Sequence, residues 1–174
     1  DAGLFDTCAE LLRAEFGPVD HQSETVWWDA TDYYREEMGR GNLRTFIFFE
    51  RQVDPGALSA VKHVTNRIEA RFSDASGTAL RRRINLDPGY VTEAKIVLAS
   101  TKDFSHRVYL GRGIYAEVTL RYSTREKTFL PLEHTYPDFR TQASLDLFNT
   151  ARAMLRSTLR DTGLQKKDQD IFLD

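Results

Sequence analysis

The chain has 174 residues, 41% hydrophobic and 29% charged, the proportions of a globular protein able to bury a core without disulfides or a structural metal. Its 24 basic and 26 acidic side chains leave a net charge of −2, which excludes a global attraction to nucleic-acid backbones or anionic membranes. A single cysteine, Cys8, excludes an internal disulfide and a cysteine zinc cluster, and no apolar run approaches the ~18 residues of a bilayer span, so a cytoplasmic protein is expected.

Leu4, Cys8, Leu11, Leu12 and Phe16 recur at helical spacing, and Gly17-Pro18 closes the segment, so residues 3–16 are expected to form an amphipathic helix. The chain thus opens inside its first element without an initiator Met, and an upstream strand is expected. Residues 19–28 read as extended, "RTFIFFERQV" at 44–53 as a strand, and "DATDYYREEMGRGN" between them as a connection holding a short helix. Asp54 caps and Pro55 opens a helix over about 55–72, with Leu58, Val61, Thr65, Ile68 and Phe72 on one face. "RRRINL" at 81–86 reads as a strand, "DPGY" at 87–90 as a turn, and "AKIVLAS" at 94–100 as a buried strand that periodicity alone does not separate from a short buried helix. A hairpin follows, 106–110 with 114–122, and the last element is a helix over about 141–160 with Leu145, Phe148, the Arg152 stem, Leu155 and Leu159 inward.

This order gives an α+β fold, an antiparallel or mixed sheet with helices packed on it. With the expected upstream strand it begins βαββαβ, a ferredoxin-like core whose first strand is not represented. One domain over 1–162 is expected, with 163–174 a loose tail.

Alternation in the hairpin puts Ile114, Ala116, Val118 and Leu120 on an apolar face and Tyr115, Glu117, Thr119 and Arg121 on a polar one. Val108 and Leu110 match the apolar face if a three-residue loop pairs 110 with 114 and 108 with 116. Arg107 then faces Glu117, and Tyr109 faces Tyr115. A solvated sheet with one cross-strand ion pair accounts for these residues alone. Lys102 and Asp103 at the strand entrance, Tyr90 and Lys95 before it, and Tyr136 and Arg140 in the loop "EHTYPDFRT" at 133–141 add cations, a carboxylate and phenols that suit a ligand cleft.

The segments "NLDPGY", "AKIVLASTKDFSHRVYLGRGIYAEVTL", "TDYYREEMG" and "TYPDFRT" resemble the bacterial and archaeal family known as domain of unknown function 4416, over nearly the whole chain. The resemblance implies a short apolar strand before the first helix, and it implies no activity, since the family has none established. Glu133-His134 departs from it, standing where the family carries an aromatic residue. Some relatives carry a GTP-binding label, yet this sequence has no GxxxxGK[ST] loop, and Gly111-Arg112-Gly113 is accounted for as a hairpin turn.

His106 with Asp103 is the candidate acid–base pair, set against a hydrogen-bonded core histidine because its parity matches Val108 and Leu110. Lys102 and Arg107 suit a phosphate or carboxylate, with Glu117 fixing Arg107 and Tyr90, Tyr109 and Tyr136 shaping the pocket. Asp87, Asp103, His106, Glu117, His134 and Asp138 carry metal-ligating groups at no diagnostic spacing, so no metal or cofactor is assigned. Ser100 and Ser105 lack a nucleophile setting, Cys8 reads as a core hydrophobe, and Asp87, Glu93 and Lys95 are too close for a nuclease core. The expectation is a small anionic, phosphorylated or nucleotide-like ligand beside the 102–117 hairpin, with binding and acid–base catalysis both open. One alternative is an RNA-associated protein using Trp27, Trp28, Tyr33, Tyr34 and the basic Arg81, Arg82 and Arg83; another is a protein-partner module.

Overall fold

The computed structural model describes residues 2–28, 42–74 and 81–162. Helix α1 (Ala2–Phe16) forms where the helical spacing places it, and Gly17 ends it at φ +93°, donating its N–H to the Arg13 carbonyl (2.9 Å) in the left-handed cap that glycine adopts without a Cβ penalty. The extended stretch after it is two strands, β1 (Val19–Gln22) and β2 (Val26–Trp28), and the expected 44–53 strand is likewise two, β3 (Asn42–Arg44) and β4 (Ile47–Phe49). Ser23 causes the break. Its Oγ accepts from Phe46 N (2.9 Å) and its N–H donates to Phe46 O (2.9 Å), so a side chain replaces part of the ladder at the point where both strands bend. β1 pairs antiparallel with β4, and β2 with β3.

Asp54 accepts from Gly56 N (2.8 Å) and Pro55 opens a 3-10 turn, Pro55–Ala57, that leads into α2 (Leu58–Arg71). Its buried face holds Leu58, Thr65 and Ile68 as expected, and also Lys62 and Glu69, which the apolar pattern did not mark. The basic strand is short: β5 (Ser73–Asp74) pairs antiparallel with β6 (Arg81–Arg82), and "INL" continues as irregular chain with Ile84 buried. No turn stands at 87–90. Strand β7 (Gly89–Val91) starts inside that segment, because Pro88, unable to donate, still accepts from Ala99 N (2.9 Å) through its carbonyl. "AKIVLAS" resolves as strand β8 (Lys95–Ser100), the hairpin as β9 (Val108–Gly111) and β10 (Ile114–Ser123), and a strand not placed from sequence, β11 (Thr128–Pro131), follows. A 3-10 turn, Pro137–Arg140, precedes α3 (Gln142–Asp161), capped by Thr141, whose side chain accepts from Ser144 N.

The fold is α+β with antiparallel sheets. Its largest sheet runs β11-β10-β8-β7 with β9 also on β10. The α–β–β–α order expected for the first half is kept in α1, β1, β4 and α2. The chain divides into two units, the first Asp1–Tyr90 with Leu98–Glu117, the second Val91–Val97 with Val118–Asp174. In the first, Cys8, Leu12, Ile68 and Ile84 form a core flanked by Ile47, Phe49, Phe72 and Leu86. In the second, Phe139 stacks on Phe148 (5.3 Å between centroids), and Asn149 caps β11 by accepting from Phe129 N (3.2 Å). Within α3, Phe148 and Ala151 are buried as its inward face requires, with Leu145, Arg152, Leu155 and Leu159 half-buried. Among the described residues no helix is long and apolar enough to cross a membrane. The expected 163–174 tail and the helix expected within 29–42 lie outside the described residues, apart from Asn42 in β3.

Candidate functional site

Tyr115 pairs with Tyr109 and Ala116 with Val108, as the matched faces require, but Ile114 pairs with Gly111 rather than Leu110. The loop therefore has two residues and the ladder a bulge at Leu110. Arg112 (φ 56°) and Gly113 (φ 76°) take the left-handed conformations of a primed turn, which follows strand twist better than the three-residue loop. The expected sorting holds only in part, since Ile114 and Leu120 of the apolar face are buried and Arg121 of the polar face is exposed. Val108, Tyr109 and Leu110 are 68%, 58% and 41% exposed, whereas Glu117 and Thr119 on the expected polar face are buried. Among the described residues strand β9 pairs only with β10, an edge position, while β10 runs between neighbours.

A buried carboxylate on β10 needs a cation, and Arg107 supplies it. Arg107 Nε donates to Glu117 Oε2 at 2.7 Å, with both side chains 1% exposed. Its Nη1 donates to Ser100 Oγ (2.7 Å) and to the Lys102 carbonyl (3.0 Å), and Ser100 Oγ also accepts from Lys102 N (3.1 Å). The Arg107 N–H donates to Phe104 O (2.9 Å), closing the 104–107 turn, and the guanidinium carbon lies 4.5 Å from the centre of the Phe104 ring. The loop from β8 to β9 is thus folded around one guanidinium.

The same Glu117 oxygen lies 3.2 Å from His106 Nε2, and the imidazole is 26% exposed. An ionised carboxylate only accepts, so Nε2 carries the proton in this contact. His106 stands in the turn before β9, so strand parity does not send it to the core, and the carboxylate that orients it is Glu117. Asp103 instead accepts from the Tyr115 phenol; desolvation, then the Asp103 charge and hydrogen bond, then Tyr109 push that phenol above its ordinary range. Tyr109 and Tyr115 pack with ring centres 5.2 Å apart, and the Tyr109 hydroxyl accepts from Gly113 N (3.2 Å). Tyr90 is half-buried on β7, and burial raises its phenol too.

The remaining expected site residues belong to the second unit. Lys95 is exposed on β8, and Tyr136, 37% exposed, precedes the 137–140 turn. Arg140 Nε donates to Thr135 O (2.7 Å), and its Nη2 donates to Leu132 O (2.7 Å) and Glu133 O (2.6 Å), which ties the loop to itself. His134 Nε2 bonds to Val118 O (2.9 Å), the part of a loop anchor. Among the described residues no set of three His, Cys, Asp or Glu side chains gathers as a metal site. Trp27 is 76% exposed on β2, but Tyr33, Tyr34 and the side chains of Trp28, Arg81 and Arg82 lie outside the described residues.

Strand register alone joins Arg107 to Glu117, but it does not mark two further neighbours of the guanidinium. Ser100 serves as an acceptor for the guanidinium rather than as a nucleophile, and Phe104 is an apolar residue set between polar ones. Its setting three residues before Arg107, in a turn that must reverse the chain, was the available signal.

The first unit therefore holds a polar site built from one loop and one hairpin on an α+β framework, with a buried carboxylate shared by a guanidinium and a half-exposed imidazole. Residues 1–155 match the family model described as Domain of unknown function (DUF4416), and the chain belongs to that family. No curated protein and no solved structure matches it.

Proposed function

We propose that the chain is a cytoplasmic protein that binds a small phosphorylated anion beside the 102–117 hairpin, with Lys102 and His106 as the groups that meet the anion. Arg107 is the strut beneath them: its Nε and Nη1 hold Glu117, Ser100 and the Lys102 carbonyl in one arrangement. Tyr109 and Tyr115 border the site. If the bound molecule reacts, the imidazole oriented by Glu117 is the proton-exchanging group.

The observation that carries this reading is the Glu117 carboxylate, 1% exposed and shared by Arg107 and His106. Burying an ion pair is poor economy for stability alone, because desolvation offsets the attraction and well-packed apolar residues do as well or better. A buried charge cluster that orients a half-exposed imidazole is a better fit to a site than to a strut alone. The test is thermal unfolding of the wild type, Lys102→Ala and His106→Ala with inorganic phosphate, sugar phosphates, nucleotides and carboxylates. A ligand at 100 times its Kd stabilises by about 2.7 kcal/mol. Stabilisation by phosphate compounds that both variants lose supports the reading, and none across the panel refutes it.

The exposed Trp27 favours a second reading, single-stranded RNA stacked on strand β2. Binding of that kind falls steeply with salt and is lost in Trp27→Ala, but is indifferent to Lys102→Ala.

A further inference from the structure

Phe104 is the one large apolar side chain in the 101–107 loop, and it stays 46% exposed. An exposed phenylalanine in a loop is ordinarily a mobile ring. This one is held three ways. Its carbonyl accepts from Arg107 N (2.9 Å), one side of its ring carries the Arg107 guanidinium at 4.5 Å, and the His106 ring stands 5.9 Å away at 52°. The guanidinium is itself fixed by Glu117 and Ser100, so the ring rests on an immobile base.

A ring held against a fixed cation yet 46% exposed can serve as a stacking platform, since little conformational freedom is lost when a flat group covers its exposed part. The cation beneath also draws π-density from the ring, which favours an electron-rich aromatic above it. The platform stands two residues from both Lys102 and His106 in the same loop. We infer that the ligand is an anion carrying a flat aromatic ring, the ring stacking on Phe104 while Lys102 and His106 hold the charged end. This rests on the anion reading above and adds the aromatic part as the determinant of specificity.

Alternative surfaces do not reach as far. The apolar strand β9 is exposed, but nothing in the structure shows what covers it. The buried Lys62 is matched by Glu69 (3.9 Å), Asp87 (3.6 Å) and the Leu86 carbonyl (2.6 Å), a brace that holds the 85–87 segment to α2.

The experiment is calorimetric titration of the full chain with inorganic phosphate and with phenyl phosphate, which differ by one ring. The wild type is expected to bind phenyl phosphate about tenfold tighter, within the range of one aromatic stack. Phe104→Leu keeps apolar bulk, and its folding is checked by its melting curve; it should lose that advantage and keep its affinity for inorganic phosphate. Phe104→Tyr should retain the advantage. Equal affinity for the two probes, or an advantage that survives Phe104→Leu, overturns the inference while leaving the anion site standing. Failure of both probes to bind the wild type overturns the anion reading and this inference together.

Discussion

Replacing Arg107 by Met removes the guanidinium from a carboxylate that is 1% exposed and leaves the Ser100 hydroxyl and the Lys102 carbonyl without their common donor. Breaking a buried pair on one side costs about 3–5 kcal/mol, because the remaining charge stays desolvated. For a chain of this size 1 kcal/mol corresponds to about 2–4 °C, so Arg107→Met should melt roughly 6–20 °C below the wild type. Glu117→Leu alone strands the guanidinium and should fall in the same range. Arg107→Met with Glu117→Leu removes both charges and should recover most of that loss, leaving about 1–2 kcal/mol for the Ser100 hydroxyl and Lys102 carbonyl that still lack their donor. Urea unfolding of the four proteins completes the cycle, with an interaction energy of about 4 kcal/mol or more expected. If Arg107→Met loses less than about 1 kcal/mol, the pair is not desolvated, and if the double variant is as unstable as the singles, the charges serve stability and the case for a site loses its main support.

Three further outcomes follow from the geometry. Burial, with the Glu69 charge second, raises the Cys8 thiol from 9.0 to about 11, so its stabilisation is complete below pH 9 and lost as pH rises through 11. The loss is at most about 2–3 kcal/mol, read from urea midpoints, and Cys8→Ala should lack that slope. Arg140→Ala frees the exposed Leu132 and Glu133 carbonyls, which water can serve, and the part-buried carbonyl of Thr135, so a loss of about 1–3 kcal/mol by chemical denaturation is expected. At Gly113 a Cβ meets nothing within 4 Å, so Gly113→Ala should be destabilised by backbone strain at φ +76° alone, about 1–2 kcal/mol in the same assay.

The helices were the most legible part of the chain, since Leu4, Cys8, Leu12 and Phe16, or Leu58, Thr65 and Ile68, repeat at a period that water and a core impose directly. Strand breaks were not, because the bend at Thr45 and Phe46 is made by Ser23, over 20 residues away in sequence. The sheet faces misled for the same reason. Alternation says that residues 115, 117 and 119 share a face but not which face is covered, and β10 covers Glu117 because Arg107 neutralises it from the preceding strand's entrance. The pairing of Arg107 with Glu117 followed from register. The contact of His106 with that same carboxylate depended on the path of the 101–107 turn, which hydrophobic pattern does not encode. The strand Thr128–Pro131 escaped because it is short and ends at a proline.

The central claim is that Lys102 and His106 meet a phosphate group on the scaffold of Arg107 and Glu117. The most direct measurement is the NMR signal of the His106 ring at fixed pH during titration with inorganic phosphate, in the wild type and in Lys102→Ala. A saturable shift of that ring, weakened or abolished in Lys102→Ala, is the expected result. A His106 signal unmoved by phosphate in a folded wild-type protein contradicts the account.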